Sequence, residues 1–182
     1  MRLEPLSLDG VFKLVVEPQL DHRGFFARCY SQAVMEHVGL CHDFPEWSLS
    51  HNTRRGTLRG LHWQAAPFLE TKLVRCTRGA IYDVVVDMRP ASPTRGRWIA
   101  VELSAETRDT LYVPAGFAHG FQTLTDDAEI LYHISVPFRA EAARGVRWDD
   151  ADLAIAWPKT TERILSERDA TLPLFADSAG AL

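Results

Sequence analysis

Between residues 72 and 136 the chain breaks into short runs rich in β-branched and aromatic residues, each closed by a turn signal. KLVRCTRG (72–79) and AIYDVVVDM (80–88) flank Gly79 and read as two strands joined by a tight turn. RWIAVELS (97–104) sets Trp98, Ala100 and Glu102 against Ile99, Val101 and Leu103, the period-two pattern of a half-buried strand. TLYVP (110–114), GFQTL (120–124) and EILYHISV (129–136) follow, separated by PAG and TDDA. Many short strands at such spacing predict an all-β sandwich or barrel and argue against a βαβ fold. Helical signals are confined to SQAVMEHVG (31–39) and to the tail after Pro158, which is expected to pack partly on the sheets and fray at its end.

The remaining bulk properties narrow the class of function. A chain of 182 residues holds one domain with a real core, so 1–182 is taken as a single unit. A net charge of −4 argues against a general polyanion binder, and nucleic acid is not an expected partner. Cys29, Cys41 and Cys76 are widely spaced and form no CxxC, which suits reduced thiols in a cytosol. MRLEPLSLDG lacks the apolar core of a signal peptide, and no run reaches the roughly 18 apolar residues of a membrane span. A cytoplasmic protein without a membrane partner is the expectation.

Two histidines carry the chemical interest: His62 in TLRGLHWQ (57–64) and His119 in YVPAGFAHG (112–120). PAGFAH has the P-x-G-x-x-H spacing of the second motif of cupin jelly rolls. The first cupin motif supplies two histidines one residue apart and then a glutamate. Here the phrase is His62-Trp63-Gln64 with Glu70 beyond it, so a weakly binding amide replaces the second imidazole. No metal is expected. A second reading makes both side chains core histidines held by backbone hydrogen bonds. Against it stand Arg54, Arg55, Arg59, Lys72, Arg75 and Arg78, and Lys72 shares strand phase with Val74 and Cys76. An ammonium turned toward such neighbours needs an anionic partner or ligand.

The third reading is proton transfer. An imidazole, with an unperturbed pKa of about 6.5, suits a base near neutrality. It also requires a cation for the developing anion, which Lys72 can supply, and an acid to return a proton. Tyr132 shares strand phase with Ile130 and Ile134 and should face the buried side. One difficulty remains in LRG: strict alternation puts Arg59 and His62 on opposite faces. If both serve one site, Gly60 must mark a bulge or the ligand must wrap an edge.

The chain resembles the dTDP-4-dehydrorhamnose 3,5-epimerase family, metal-independent cupins of sugar-nucleotide metabolism. The similar phrases, in order, are DHRGFF (21–26), LRGLHWQ (58–64), KLVRCTRGAIYDVVVDMRPASPT (72–94), LYVPAGFAHGF (111–121), EILYHIS (129–135), RGVRWDDADLAIAWP (144–158) and LSERD (165–169). The resemblance implies a cupin-type jelly roll, or double-stranded β-helix, with short N- and C-terminal helical segments. It implies an isomerase that works without a cofactor on a nucleotide-diphosphate 4-keto-6-deoxy sugar. His62 would be the base, Asp169 its orienting carboxylate and Tyr132 the acid on the opposite face. Lys72 and His119 would steady the enolate, and Arg23 and Arg59 would contact the diphosphate. Arg23 and Phe25 would come from a partner subunit, which implies a homodimer.

Departures from the family pattern cluster around the nucleotide. Arg28 stands where thymidine-reading members carry a glutamate, Trp47-Ser48-Leu49 where they carry Gln-x-Asn, and Ala143 where they carry another glutamate. Arg168 keeps the usual basic character, and Phe138 replaces a stacking tyrosine. The sugar chemistry therefore reads as intact while the polar contacts to the base are rebuilt, which opens CDP-, GDP- or UDP-linked sugars as substrates, or dTDP held with looser base contacts. VPF (136–138) after the tyrosine opens inversion at one centre only. The competing classes are a metal-dependent cupin enzyme and a non-catalytic sugar-nucleotide binding module.

Overall fold

Alternating apolar residues build two facing sheets that share one apolar layer. The computed structural model describes residues 1–178. In chain order the strands are β1 (Arg2–Pro5), β2 (Phe12–Val15), β3 (Gln19–Asp21), β4 (Gly24–Phe26), β5 (Glu46–Asn52), β6 (Leu58–Gln64) and β7 (Lys72–Arg78). They continue as β8 (Ala80–Asp87), β9 (Trp98–Ser104), β10 (Thr110–Val113), β11 (Phe117–Thr123), β12 (Ala128–Ile134) and β13 (Ala143–Gly145). The α-helices are α1 (Gln32–His37) and α2 (Glu167–Ala170). One sheet runs β1-β2-β10-β7-β12-β5, the other β13-β6-β11-β8-β9, and β3 pairs with β4 as a separate hairpin. All these strand pairings are antiparallel, and the architecture is a cupin-type jelly roll.

Between the sheets, Val74, Cys76, Leu111 and Ile130 of the first pack on Ile81, Val85, Leu103 and Phe121 of the second. Burying each of the larger side chains is worth about 1.5–3 kcal/mol. The outer faces are covered as well, over part of their extent. Val84 and Val86 pack outward against Val146 and Leu153, which explains why the VVV run of β8 is buried on both faces. On the other side α1 drops Met35 onto Leu14, Leu73 and Tyr112. That helix starts after Ser31 and stops before Gly39, whose φ of +74° turns the chain away.

Gly79 does not close a hairpin. β7 and β8 belong to different sheets, and Gly79, at φ +71°, forms the corner between them. A Cβ there would run into Thr125. Local turn chemistry is the same in both cases, so only the wider pairing distinguishes them. The segment after Pro158 returns along β6: the Leu58 N–H donates to the Ile164 carbonyl at 2.8 Å, and the Ile164 N–H to that of Gly56 at 3.0 Å. That return brings α2 beside β6. Among the described residues no helix is long and apolar enough to cross a membrane.

Candidate active site

At one end the two sheets part and leave a cavity of about 440 Å³, in the range of small-molecule sites. His62, His119 and Arg59 line it from β6 and β11 of the second sheet; Lys72 and Tyr132 line it from β7 and β12 of the first. Asp169 reaches it from α2.

A bulge in β6 resolves the phase problem of LRGLH. His119 sits opposite His62 and Phe121 opposite Arg59, so two steps along β11 match three along β6. Gly60 has φ +123°, and a Cβ on it would lie 2.6 Å from the Cα of Gly120. Only glycine permits that approach. The extra residue turns Arg59 to the same side as His62, where the Arg59 Nε–H donates to Asn52 Oδ1 at 2.7 Å.

The His62 Nε2–H donates to Asp169 Oδ1 at 2.7 Å. An ionised carboxylate cannot donate, so this contact fixes the ring proton on Nε2 and leaves Nδ1 as the basic nitrogen. Burial works against ionising Asp169, but the His62 contact, the Gly60 N–H and Ser166 outweigh it and hold the carboxyl below its usual range. The same carboxylate is anchored by its backbone, since the Asp169 N–H donates to the Ser166 hydroxyl that caps α2.

Lys72 finds the anionic partner that its inward direction required: Nζ lies 2.7 Å from Glu70 Oε1 and donates to the His62 carbonyl at 3.4 Å. Tyr132 faces the cavity, and among the described residues no hydrogen bond reaches its hydroxyl. Burial pushes its phenol far above the ordinary value; the Asp83 charge adds to the rise and the Arg59 guanidinium opposes it. His119 forms a second imidazole–carboxylate pair, donating Nε2–H to Asp83 Oδ2 at 2.9 Å. Burial raises the Asp83 carboxyl, with His119 and Lys72 acting against that rise. Sequence reasoning missed Asp83. Its signal was phase, since Asp83 alternates with Ile81 and Val85 and so had to point into the core.

Phe138 and Arg168 stand at the rim with Arg144, and Ser48, Leu49 and Ser50 of edge strand β5 complete that side. Arg59, Arg144 and Arg168 have no carboxylate partner among the described residues, so the mouth carries uncompensated positive charge. Arg23, Phe25, Arg28 and Trp47 lie outside the cavity wall. Arg23 pairs with Asp21 on the β3–β4 hairpin, Phe25 lies under Arg108, and Arg28 is exposed. Trp47 pairs in register with His133, with ring centroids 4.1 Å apart, on the sheet face opposite Tyr132. Among the described residues no three His, Cys, Asp or Glu side chains converge as a metal site would need.

The sequence profile of the family described as dTDP-4-dehydrorhamnose 3,5-epimerase matches residues 5–177. The chain belongs to the dTDP-4-dehydrorhamnose 3,5-epimerase family. A family member from Sinorhizobium fredii (strain NBRC 101917 / NGR234), named dTDP-4-dehydrorhamnose 3,5-epimerase, is 47% identical over 161 residues, covering 86% of this chain and 80% of its own. The epimerase of Bacillus anthracis str. Ames, solved with TDP and PPi bound, superposes with a TM-score of 0.90 at 40% identity, over 95% of this chain and 98% of that one. The Legionella pneumophila Philadelphia 1 enzyme, in complex with dTDP-4-keto-L-rhamnose, gives 0.89 at 32% identity, over 96% and 93%.

Proposed function

We propose that this chain is an isomerase that inverts C3 and C5 of a nucleotide-diphosphate 4-keto-6-deoxyhexose. The observation that carries the reading is the placement of His62 and Tyr132 on different sheets, across one cavity. His62 Nδ1 removes the proton alpha to the C4 ketone. The electron pair moves onto the ketone oxygen, where Lys72 and His119 offset the enolate charge. Tyr132 then delivers a proton to the other face, and the carbon is inverted. Asp169 holds the imidazole in the tautomer that this requires. Arg59, with Arg168 at the rim, takes the diphosphate, for which a guanidinium fork is suited. The unpaired positive mouth supports that assignment, and a nucleotide sugar bound in the Legionella relative agrees with it.

The nucleotide is read differently from thymidine in its usual contacts. Ser48 and Ser50 offer small hydroxyls at the β5 wall, Phe138 offers a ring face, and Ala143 offers no polar group. Arg28 and Trp47 lie away from that wall in one chain. The β3–β4 hairpin displays Leu20, 82% exposed, and Phe26, 76% exposed. Apolar groups so displayed support a homodimer in which this hairpin brings Arg23 and Phe25 to the partner's cavity.

A panel of dTDP-, CDP-, GDP- and UDP-linked 4-keto-6-deoxyhexoses, incubated with the protein in D2O and followed by NMR, tests the reading. Deuterium at C3 and C5 with the preferred nucleotide is expected. No deuterium at either carbon with any of them would end it. Calorimetry on the same panel reports the base, and a strong preference for dTDP would overturn the rebuilt-contact argument. Light scattering reports the dimer.

A further inference from the structure

Inverting two carbons during one stay in the cavity takes two proton deliveries to the same side of the ring. Tyr132 holds one proton. His62, with 37% of its side chain exposed, can pass what it collects to water. Tyr132 has no such outlet once a sugar lies over it, and its hydroxyl has no hydrogen-bonded neighbour among the described residues from which to refill.

The titratable group packed on it is His119, whose ring meets the Tyr132 ring edge to face at 6.1 Å between centroids. His119 is buried and bonded through Nε2 to Asp83, itself fully buried. Among the described residues Asp83 Oδ1 has no hydrogen-bond partner. A carboxylate in that condition is costly unless a proton or a positive charge stands against it. Lys72 acts on Asp83 through space alone and is itself paired with Glu70 at 2.7 Å. Cys76, the remaining titratable neighbour in the layer, is a neutral thiol whose acidity burial suppresses, to about 11. Burial favours a proton on the Asp83 side, and His119, hydrogen-bonded to it at 2.9 Å, is the group placed to share that proton.

We propose that the His119–Asp83 pair stores a second proton and passes it to Tyr132 between the two inversions. This rests on the double inversion proposed above. In the first half, Tyr132 gives its hydroxyl proton to the enolate carbon and becomes a phenolate. The Nδ1 proton of His119 then moves to the phenolate oxygen. That leaves a neutral imidazole still donating Nε2–H to the Asp83 carboxylate. In the second half the renewed Tyr132 protonates the other carbon. His62 has meanwhile taken two protons and released them to water. Once product leaves, water returns one proton to Tyr132 and one to His119, so the cycle is balanced.

Asp83 is thus a positioning residue, acting through His119, and the signature of its loss is a changed ratio of inversions. In D2O, NMR separates singly from doubly inverted sugar during turnover. Asp83→Asn removes the carboxyl that holds the reserve proton together with His119, and the ratio of second to first inversion should fall at least tenfold, with singly inverted sugar accumulating. If that variant does not fold, His119→Gln keeps an N–H for Asp83 but holds no transferable proton, and the same fall is expected. A ratio within twofold of the unaltered protein in whichever variant folds overturns the relay. Unaltered protein that exchanges only one carbon also overturns it while leaving the epimerase reading intact. Exchange at neither carbon removes both.

Discussion

Replacing Asp169 with asparagine probes the imidazole–carboxylate pair with almost no change of volume. Asp169 is 5% exposed and accepts two hydrogen bonds, from His62 Nε2–H at 2.7 Å and from the Gly60 N–H at 3.4 Å. A charge-assisted bond of this kind is worth about 1.5–3 kcal/mol, which alone slows a step that makes imidazolium by roughly 10–100-fold. Geometry adds a second penalty. The Gly60 N–H needs an acceptor, so the amide oxygen of Asn turns to it and the NH2 turns to His62. Nε2 must then accept, and the ring proton shifts to Nδ1, the atom that should take the substrate proton. A wrong tautomer costs up to about 10⁴-fold in a serine-protease triad. The expected outcome is a fall in kcat of roughly 10³–10⁴-fold with KM changed by less than about threefold, measured by deuterium wash-in under saturating sugar nucleotide. A folded Asp169→Asn protein that loses less than tenfold in kcat would refute the tautomer argument.

Other consequences concern the fold around the site. Gly60→Ala places a Cβ 2.6 Å from Gly120 Cα at a φ of +123°, and should cost more than about 2 kcal/mol, lowering Tm by roughly 5–10 °C with loss of activity. Asp87 is fully buried; burial disfavours its charge, yet Arg89, Ser92 and Thr94 hold its pKa down to about 2. The folded value lies below the unfolded one, so its contribution of about 2 kcal/mol is complete above pH ~4 and drains away as pH falls toward 2. Asp87→Asn should therefore flatten the acid limb of stability measured by urea melts across that window. The raised Tyr132 phenol keeps its proton through the alkaline range, so kcat should show no descending limb from this group below pH ~10, the ordinary phenol value. A limb there that vanishes in Tyr132→Phe would contradict the burial of that side chain.

Much of this architecture is written in local pattern, and the gaps have physical causes. β7 to β12 follow from period-two alternation and β-branched content, because each has at least one face in the inter-sheet layer. EWSLSHN gave no such signal: β5 is an edge strand, mostly exposed, with Trp47 69% open to solvent. Gly79 looked like a hairpin turn because the dihedral demand is the same at a corner between sheets. The inward Lys72 was legible from phase, and its partner Glu70 lies two residues away. Asp169 was not legible in that way. It meets His62 across 107 residues of chain, a contact that only the path of the tail along β6 creates, and family resemblance alone pointed to it. In LRGLH the choice between a bulge and a wrapped ligand was visible, and the β6–β11 register decides it.

The account stands on a base and an acid working from opposite faces of the sugar, and Tyr132→Phe in D2O separates them most directly. With the phenol gone, His62 still removes the proton alpha to the ketone and returns a deuteron to the face it came from. The sugar should come back labelled and uninverted, with inversion slowed by roughly 10²–10⁴-fold. Inverted product formed at the unaltered rate would contradict the assignment of the two faces.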